Sequence, residues 1–397
     1  MQAYPKKQQI KLGMLVSHPI QYFTPVYREL AKTEGIDLTV LYRTRVGADA
    51  YHDPGFGQIV KWDIPLLDGY KHEFLSSKNK IEGLQWRVIS ELVHNRFDVL
   101  LVHGYNSFTN ILAILVAKLI GTKVLMRGDS RIQPNHKMTG LKANIKRMLF
   151  NCCDGFVTIG SLNRAYYEQL GVASDRLYFA PFCVQNDVFT VLPNLRKRYR
   201  LEVRETLNLA RDSLIILFAS KLIKRKSADD LIQAFARISD AYPNVCLVIA
   251  GSGDEEPALR ELAASLNYQQ IRFIGFQNQS QLPRLYAASD LFTLPSHSEP
   301  WGLVINEVLA AGLPVIVSSE VGAAPDLVER KGTGIVYPWG DVQALANALE
   351  TLLQSPTLRV EMGAKACQLI SNWDVVYCSS GISNAASRVM QRVWGIK

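Results

Sequence analysis

The chain has 397 residues, enough for two domains of ordinary size, and at 48% hydrophobic and 20% charged residues it is globular rather than disordered or fibrous. Its six cysteines (Cys152, Cys153, Cys183, Cys246, Cys367 and Cys378) show no paired C-x2-C spacing, so neither a zinc site nor a disulfide framework is indicated. The net charge of +8 is uneven: residues 1–200 hold 27 Lys and Arg against 16 Asp and Glu, and the remainder 17 against 20. A basic first half points to an anionic partner, and with no DNA- or RNA-binding motif in view, a membrane surface or a phosphate-bearing acceptor fits better than nucleic acid.

The opening MQAYPKKQQIKLGMLVS lacks the apolar core of a signal peptide. The longest apolar stretch, ILAILVAKLIG at 111–121, contains Lys118 and falls short of the ~20 residues a membrane span needs. A cytosolic, reducing location is therefore expected, with the protein peripheral on the inner membrane face if it meets lipid.

Short apolar runs predict strands at Leu12–Val16, Asp37–Tyr42, Val99–Val102, Lys123–Met126, Gly155–Ile159 and Leu177–Ala180, with helices between several of them. Such alternation predicts a parallel sheet, whose ligands lie at the strand carboxyl ends. Three segments occupy such ends. SHPIQYFTPVYREL (17–30) offers His18, Gln21 and Tyr22; VHGYNS (102–107) offers His103 and Tyr105; LMRGDSR (125–131) offers Arg127 and Asp129. His18 can equally be a structural histidine at the strand end, and Asp129 can orient an acceptor or simply pair with Arg127 or Arg131.

In KMTGLKANIKRMLF (137–150), Met138, Leu141, Ile145, Met148 and Leu149 recur at helical spacing, and Lys137, Lys142, Lys146 and Arg147 fill other faces. Such a helix can lie in a bilayer interface, or its apolar stripe can pack on its own domain. A domain boundary is expected in TVLPNLRKRYRLEVRETL (190–207), which is polar and basic with no strand pattern.

A second set of strands is predicted at 215–219, 246–250, 272–274, 291–294, 315–317 and 334–337, followed by helices at 358–371 and about 374–393. The first of these strands runs into SKLIKRKS, where Lys221 and Lys226 can neutralise a diphosphate or merely belong to a solvated basic turn. Further on, SHSEPWGLVINEVLAAGLPVIVS (296–318) carries Glu299 and, eight positions later, Glu307. A Pro-Trp-Gly turn follows the first glutamate and a helical pattern carries the second. Gly312 and Pro314 then stop the helix before a β-branched strand. Backbone N–H groups at a helix start beside a glycine suit a phosphate, and carboxylates suit the diols of a sugar and a ribose.

The run closely resembles the nucleotide-sugar site of retaining glycosyltransferases of family 4 (group 1), which have the GT-B fold. The family's E-x7-E element matches Glu299 and Glu307, its following strand matches Gly312, Pro314, Val315 and Ile316, and its paired basic residues match Lys221 and Lys226. Ser220 and Ser227 stand where the family usually has glycine, and Arg127 and Asp129 where it often has a histidine. The resemblance is strong over roughly 215–375; over 1–190 it is one of architecture.

The resemblance implies an α/β protein of two Rossmann-like doubly wound domains facing across a cleft: an acceptor domain at 1–195, a nucleotide-sugar domain at 196–378, and a last helix, about 379–397, that packs back on the first. It implies transfer of a hexose-type sugar, with retention, from a UDP- or GDP-sugar (UDP favoured) to a glycan or lipid-linked acceptor. Lys221, Lys226 and the N–H groups near Gly302 and Leu303 would hold the diphosphate, Glu299 the sugar hydroxyls and Glu307 the ribose diol. Phe276 would flank the base, with His297 and Trp301 beside the donor, and Asp129, His18, Gln21, His103 and Arg127 on the acceptor side. No Asp-x-Asp pair lies near the site, so neither metal nor cofactor is expected. The rival readings are a nucleotide-sugar 2-epimerase on the same fold and a non-enzymatic sugar-nucleotide binder.

Overall fold

A computed structural model describes residues 9–76, 83–132, 139–266 and 270–391. The chain divides into two compact units, one formed by residues 1–51, 65–183 and 375–397 and the other by residues 52–64 and 184–374.

In the first unit, β1 (Ile10–Val16), α1 (Thr24–Lys32) and β2 (Ile36–Tyr42) are followed by a two-stranded excursion, β3 (Tyr51–Asp53) and β4 (Gln58–Val60). The excursion crosses into the second unit before the chain returns through β5 (Lys71–Phe74). Next come α2 (Arg87–Asn95), β6 (Val99–His103), α3 (Phe108–Leu119), β7 (Lys123–Arg127), α4 (Gly140–Asn151), β8 (Gly155–Thr158), α5 (Ser161–Gln169) and β9 (Leu177–Phe179). The sheet order is β5-β2-β1-β6-β7-β8-β9, and its pairings are parallel. Both faces are covered, which is why these strands read as unbroken apolar runs rather than alternating ones. Residues of α2 to α5 build one apolar layer, with Val88, Ile114, Phe150 and Tyr167 buried against the sheet.

The second unit continues with α6 (Asn186–Phe189), α7 (Pro193–Thr206), β10 (Leu214–Ala219), α8 (Ala228–Ile238), β11 (Val245–Ala250), α9 (Glu256–Ser265), β12 (Ile271–Gly275), α10 (Leu282–Ala288) and β13 (Leu291–Leu294). It closes with α11 (Val304–Ala310), β14 (Val315–Ser318), β15 (Gly334–Tyr337), α12 (Val342–Gln354) and α13 (Pro356–Ile370). Its parallel sheet has the order β12-β11-β10-β13-β14-β15, so the direction of winding reverses between β10 and β13. That reversal is where doubly wound sheets place ligands. The last helix, α14 (Val375–Gln391), belongs to the first unit, where Cys378, Ile382, Ala385 and Val389 are buried on the face of the sheet that α1 covers.

The predicted strands appear within a residue or two of their expected limits, but the structure differs from the sequence reading in two places. The first is the chain from 43 to 98, where the three short strands β3, β4 and β5 were not expected. The second is the boundary. It falls between Cys183 and Val184 rather than near residue 195, because the basic stretch expected to hold the boundary contains the helix α7, which packs within the second unit through a stripe of arginines. Arg196, Arg200 and Arg204 recur every four residues on one face. Arg196 donates to the Ala311 carbonyl, Arg200 pairs with Asp290 at 2.7 Å, and Arg204 donates to the Ser213 and Ala288 carbonyls and to Asp290 at 2.8–2.9 Å. Arginine composition reads as surface, yet Arg204 is 1% exposed.

For α4 the sequence leaves the apolar stripe free to face outward or inward: Leu141, Ile145 and Met148 face solvent, while Leu149 packs on the core beside Ala143 and Phe150. Lys137 and Met138 lie outside the described residues.

The Asp290 cluster generates a test of the second unit. Asp290 also accepts the Ile215 N–H at 2.8 Å, so it joins α7 to the start of β10. Asp290→Ala leaves the buried Arg204 charge without its partner, which should cost about 3–5 kcal/mol. Urea denaturation followed by a probe in the second unit should show the midpoint fall with little change in slope.

Candidate active site

The carboxyl end of β10 leads through Lys221 into a 3-10 turn, Lys224–Lys226, and then into α8. Ser227, which caps α8, has φ +47°, the left-handed region that favours glycine. The turn needs this conformation to swing Lys226 inward, and a glycine at this position would meet the same need without strain. Lys226 is buried, at 8% exposure, whereas Lys224 points outward to Asp229 at 3.1 Å.

Beyond β13, the neighbour of β10 in the sheet, the chain enters the loop that carries Glu299. Its backbone is pinned on both sides: Glu299 N–H donates to the Glu320 carbonyl at 3.0 Å, and Gly322 N–H donates to the Glu299 carbonyl at 2.9 Å. The side chain is buried and accepts a short hydrogen bond from Lys226 Nζ and a longer one from Arg225 at 3.3 Å. Burial alone would raise the Glu299 pKa; the charge and hydrogen bond of Lys226, then those of Arg225, outweigh it and hold the carboxyl below its ordinary 4.5. On Lys226, burial pulls the ammonium below 10.5 while Glu299 pulls the other way. The phosphate-side cation and the sugar-side carboxylate expected from the sequence are therefore direct partners.

Gly302, with φ +89°, and Leu303 make the turn into α11, and Ile305 N–H donates to the Gly302 carbonyl at 2.8 Å. Trp301 is turned into the protein, at 4% exposure. Its indole N–H donates to Asn306 at 2.9 Å and its ring stacks on Trp373 at 5.5 Å. Glu307, the first-turn acid of α11, is 1% exposed and accepts the Tyr286 hydroxyl at 2.5 Å. The His297 ring stacks on Trp339 at 4.1 Å, and the His297 backbone N–H donates to the Arg225 carbonyl at 2.8 Å, placing both rings beside the Lys226 turn. Phe276, just past β12, packs edge-on to Phe56 at 4.7 Å and near Trp62 at 6.3 Å. Lys221 pairs with Asp53 at 2.7 Å.

The first-unit residues form a separate group. His103 and Arg127 end the adjacent strands β6 and β7 and are register partners. Arg127 is 3% exposed, donates to the Pro181 carbonyl at 3.3 Å and lies 5.2 Å from the Phe182 ring. Burial, then the nearby Arg127 charge, pushes the His103 pKa down to about 3, so the ring is neutral at physiological pH. His18 Nδ1 lies 2.9 Å from the Ser17 hydroxyl; Gln21 is half-buried in the turn before α1, and Asp129 is exposed beyond β7. Sequence reasoning missed Arg225, Tyr286 and Asp53. Arg225 lies between the two lysines in a conspicuous basic run and could have been weighed; Tyr286 and Asp53 have no local signal.

Two Rossmann-like units of parallel sheet make this a GT-B fold. The solved structures agree: that of Alr3699/HepE from Anabaena, in complex with UDP and glucose, superposes with a TM-score of 0.71 at 17% identity, covering 96% of this chain and all of that one. Residues 200–368, which hold the Lys226–Glu299–Glu307 corner, match the family of glycosyl transferases group 1. Among curated relatives, an uncharacterized glycosyltransferase of Methanocaldococcus jannaschii is 37% identical over 147 residues, 36% of this chain and 37% of that protein. The GDP-mannose-dependent alpha-(1-6)-phosphatidylinositol monomannoside mannosyltransferase of Mycobacterium tuberculosis is 28% identical over 275 residues, 66% of this chain and 69% of that protein.

The charge pair predicts a pH signature. A carboxyl whose folded pKa is depressed contributes stability above its unfolded pKa and loses it as pH falls through the folded value. Glu299→Gln should therefore be less stable than the parent protein at pH 7, and the gap should narrow as pH drops below about 4.5. Denaturation midpoints of both proteins between pH 7 and pH 3 measure it.

Proposed function

We propose that the protein is a group 1 glycosyltransferase. It moves a hexose-type sugar from a nucleoside-diphosphate sugar to a glycan or lipid-linked acceptor in glycoconjugate or polysaccharide synthesis, with retention of configuration. The observation that carries this reading is the buried Lys226–Glu299 pair, with the buried Glu307 on the helix that follows, at the reversal point of a doubly wound sheet. A diphosphate leaving group develops charge as the glycosidic bond breaks, and Lys226, Lys221 and Arg225 are fixed cations beside the loop that Glu299 anchors. Preorganised charge of this kind stabilises the transition state without reorganisation. Glu299 would hold sugar hydroxyls, Glu307 the ribose diol, and Phe276 would flank the base. The neutral His103 and the Arg127 end of β7, with His18, Gln21 and Asp129, would form the acceptor side.

No Asp-x-Asp pair lies near the site in the sequence, so transfer is expected to proceed without an added divalent ion. Both nucleotides have support: UDP is bound in the Anabaena structure and GDP-mannose is the donor of the mycobacterial relative. We place UDP first. Ligand at 100 times its dissociation constant adds about 2.7 kcal/mol of stability, so thermal unfolding with UDP against GDP separates the two directly.

Lys226→Ala should lower kcat far more than Lys224→Ala, because Lys226 is buried against Glu299 while Lys224 is a solvated surface residue. Loss of one positioned cation corresponds to about 2.7–4 kcal/mol, a 10²–10³-fold fall in rate. Transfer assays across UDP- and GDP-sugars measure this, and the NMR coupling constant of the product's new linkage reads its anomeric configuration. Equal losses in the two variants would favour a diffuse basic turn, and an inverted centre would remove the retaining mechanism.

The acceptor would be met at an anionic membrane surface, with the enzyme cytoplasmic and peripheral. Among the described residues no helix is long and apolar enough to cross a membrane. On α4, Leu141, Ile145 and Met148 are 77%, 56% and 70% exposed, with Lys142 and Arg147 on the same helix. An outward apolar ridge flanked by cations suits an interface, where each basic residue adds roughly 1 kcal/mol. Co-sedimentation with vesicles should rise with anionic lipid content and fall with salt. Ile145→Ser with Met148→Ser should remove most of it while nucleotide binding, assigned to the other unit, stays intact.

A further inference from the structure

The excursion that contains β3 and β4 is a strap. Residues 52–64 fold with the second unit although they lie in sequence between strands of the first. Its far end is tethered: Asn278 Nδ2 donates to the Lys61 carbonyl at 2.7 Å and Ser280 N–H donates to Asp63 at 3.3 Å. Its turn makes a different kind of contact. The Asp53 carboxylate receives Lys221 Nζ on both oxygens, at 2.7 and 2.9 Å. Three residues on, the Phe56 ring lies 4.8 Å from that ammonium and 4.7 Å, edge-on, from Phe276. The turn is shaped for this. Asp53 accepts the N–H groups of Gly55 and Phe56 at 2.8 and 3.1 Å, and a Cβ at residue 55 would come within 2.7 Å of the lysine side chain. The strap thus sets an anion on a cation and a flat ring against an aromatic, at the two side chains assigned above to the diphosphate and the base.

We propose that the Asp53–Phe56 turn is a built-in nucleotide mimic that competes with a nucleoside diphosphate for Lys221 and Phe276. Binding of the donor then requires the turn to leave, while the tether at Asn278 and Ser280 keeps the strap close. This rests on the assignment of Lys221 and Phe276 to the donor site. The simpler role, in which Asp53 only orients Lys221 for the phosphate, differs in sign. A competitor weakens nucleotide binding when present, so removing it tightens binding; removing an orienting group weakens it.

Titration calorimetry of UDP and GDP on the full chain discriminates. Asp53→Asn keeps the acceptor for the turn's N–H groups and removes the charge on Lys221; Phe56→Leu removes the ring. Both should bind nucleotide about tenfold more tightly than the parent, and Ile59→Ser, at a strap position 74% exposed, should not. In the unaltered protein, saturating nucleotide should speed amide hydrogen exchange in residues 52–57, a readout that needs no variant. Weaker or unchanged binding in both variants, or slower exchange on nucleotide addition, overturns the mimic. Lys221→Ala and Glu307→Gln keep the two ideas apart. If they weaken nucleotide binding while the strap variants leave it unchanged, only the mimic fails. If the protein binds neither nucleotide, or binds them indifferently to Lys221, the donor-site reading fails and the mimic with it.

Discussion

A single buried ion pair, Lys226 with Glu299, is the constraint on which the second unit's candidate site is built. Neither charge can stay in the interior alone, since an unpaired buried ion costs several kcal/mol. Each therefore dictates the path of its own loop. Lys226 requires the tight turn after β10 and the left-handed Ser227 that follows it. Glu299 requires its loop after β13 to lie across that turn, and its backbone bonds to residues 320 and 322 bring in the loop after β14. The carboxyl ends of three neighbouring strands are thus tied at one point, beside the sheet's reversal, and α11 with Glu307 starts from there.

The fold was readable where burial acts on neighbouring residues. Runs such as Leu214–Ala219 and Val245–Ala250 are apolar throughout because helices cover both faces of each sheet. The docking of α7 was not readable, because the same arginine spacing describes a solvated helix and a helix whose guanidinium groups reach carbonyls and Asp290. Only the partner distinguishes them, and Asp290 is 86 residues from Arg204. The β3–β4 excursion was missed for a related reason. Strands of three residues have no periodicity to detect, and what holds the strap is contacts such as Lys221 to Asp53, 168 residues apart.

Within the site the division is similar. Glu299, Glu307, Lys221 and Lys226 could be named from spacing and resemblance, because each lies in a local frame of strand, turn and helix. Their mutual geometry could not. Nothing in SKLIKRKS says that Lys226 turns inward to a carboxylate 73 residues away while Lys224 turns out. Tyr286 reads as one more apolar-face residue of α10, and its hydroxyl on Glu307 becomes visible only when α10 and α11 are brought together. The contacts of Trp301 are equally invisible in its local sequence: its ring closes on Trp373, 72 residues away, and its indole N–H on Asn306.

Taken as stability alone, this corner is poorly made. It buries a lysine and a glutamate where a well-packed apolar pair of similar volume is often neutral or more stable. It holds Ser227 and Ser298 at φ +47° and +53°, conformations that cost non-glycine residues roughly 1–2 kcal/mol each. It packs Glu307 at 1% exposure on a helix of seven residues. Elsewhere in the same unit, local propensity, apolar pattern and packing agree: Leu231, Ile232 and Phe235 of α8 fall on one buried face, one turn away from the strained serine. Departures from local consistency gather where a chain is selected for something other than folding. Here they share one chemical theme, the fixing of charge and hydrogen-bonding groups in the protein interior. A surface lysine loop could neutralise a diphosphate as well in the ground state. Charges already stripped of water and locked by partners respond more strongly to charge that develops as a bond breaks, and under the proposed transfer reaction that difference would be the reason for the stability given up to keep them.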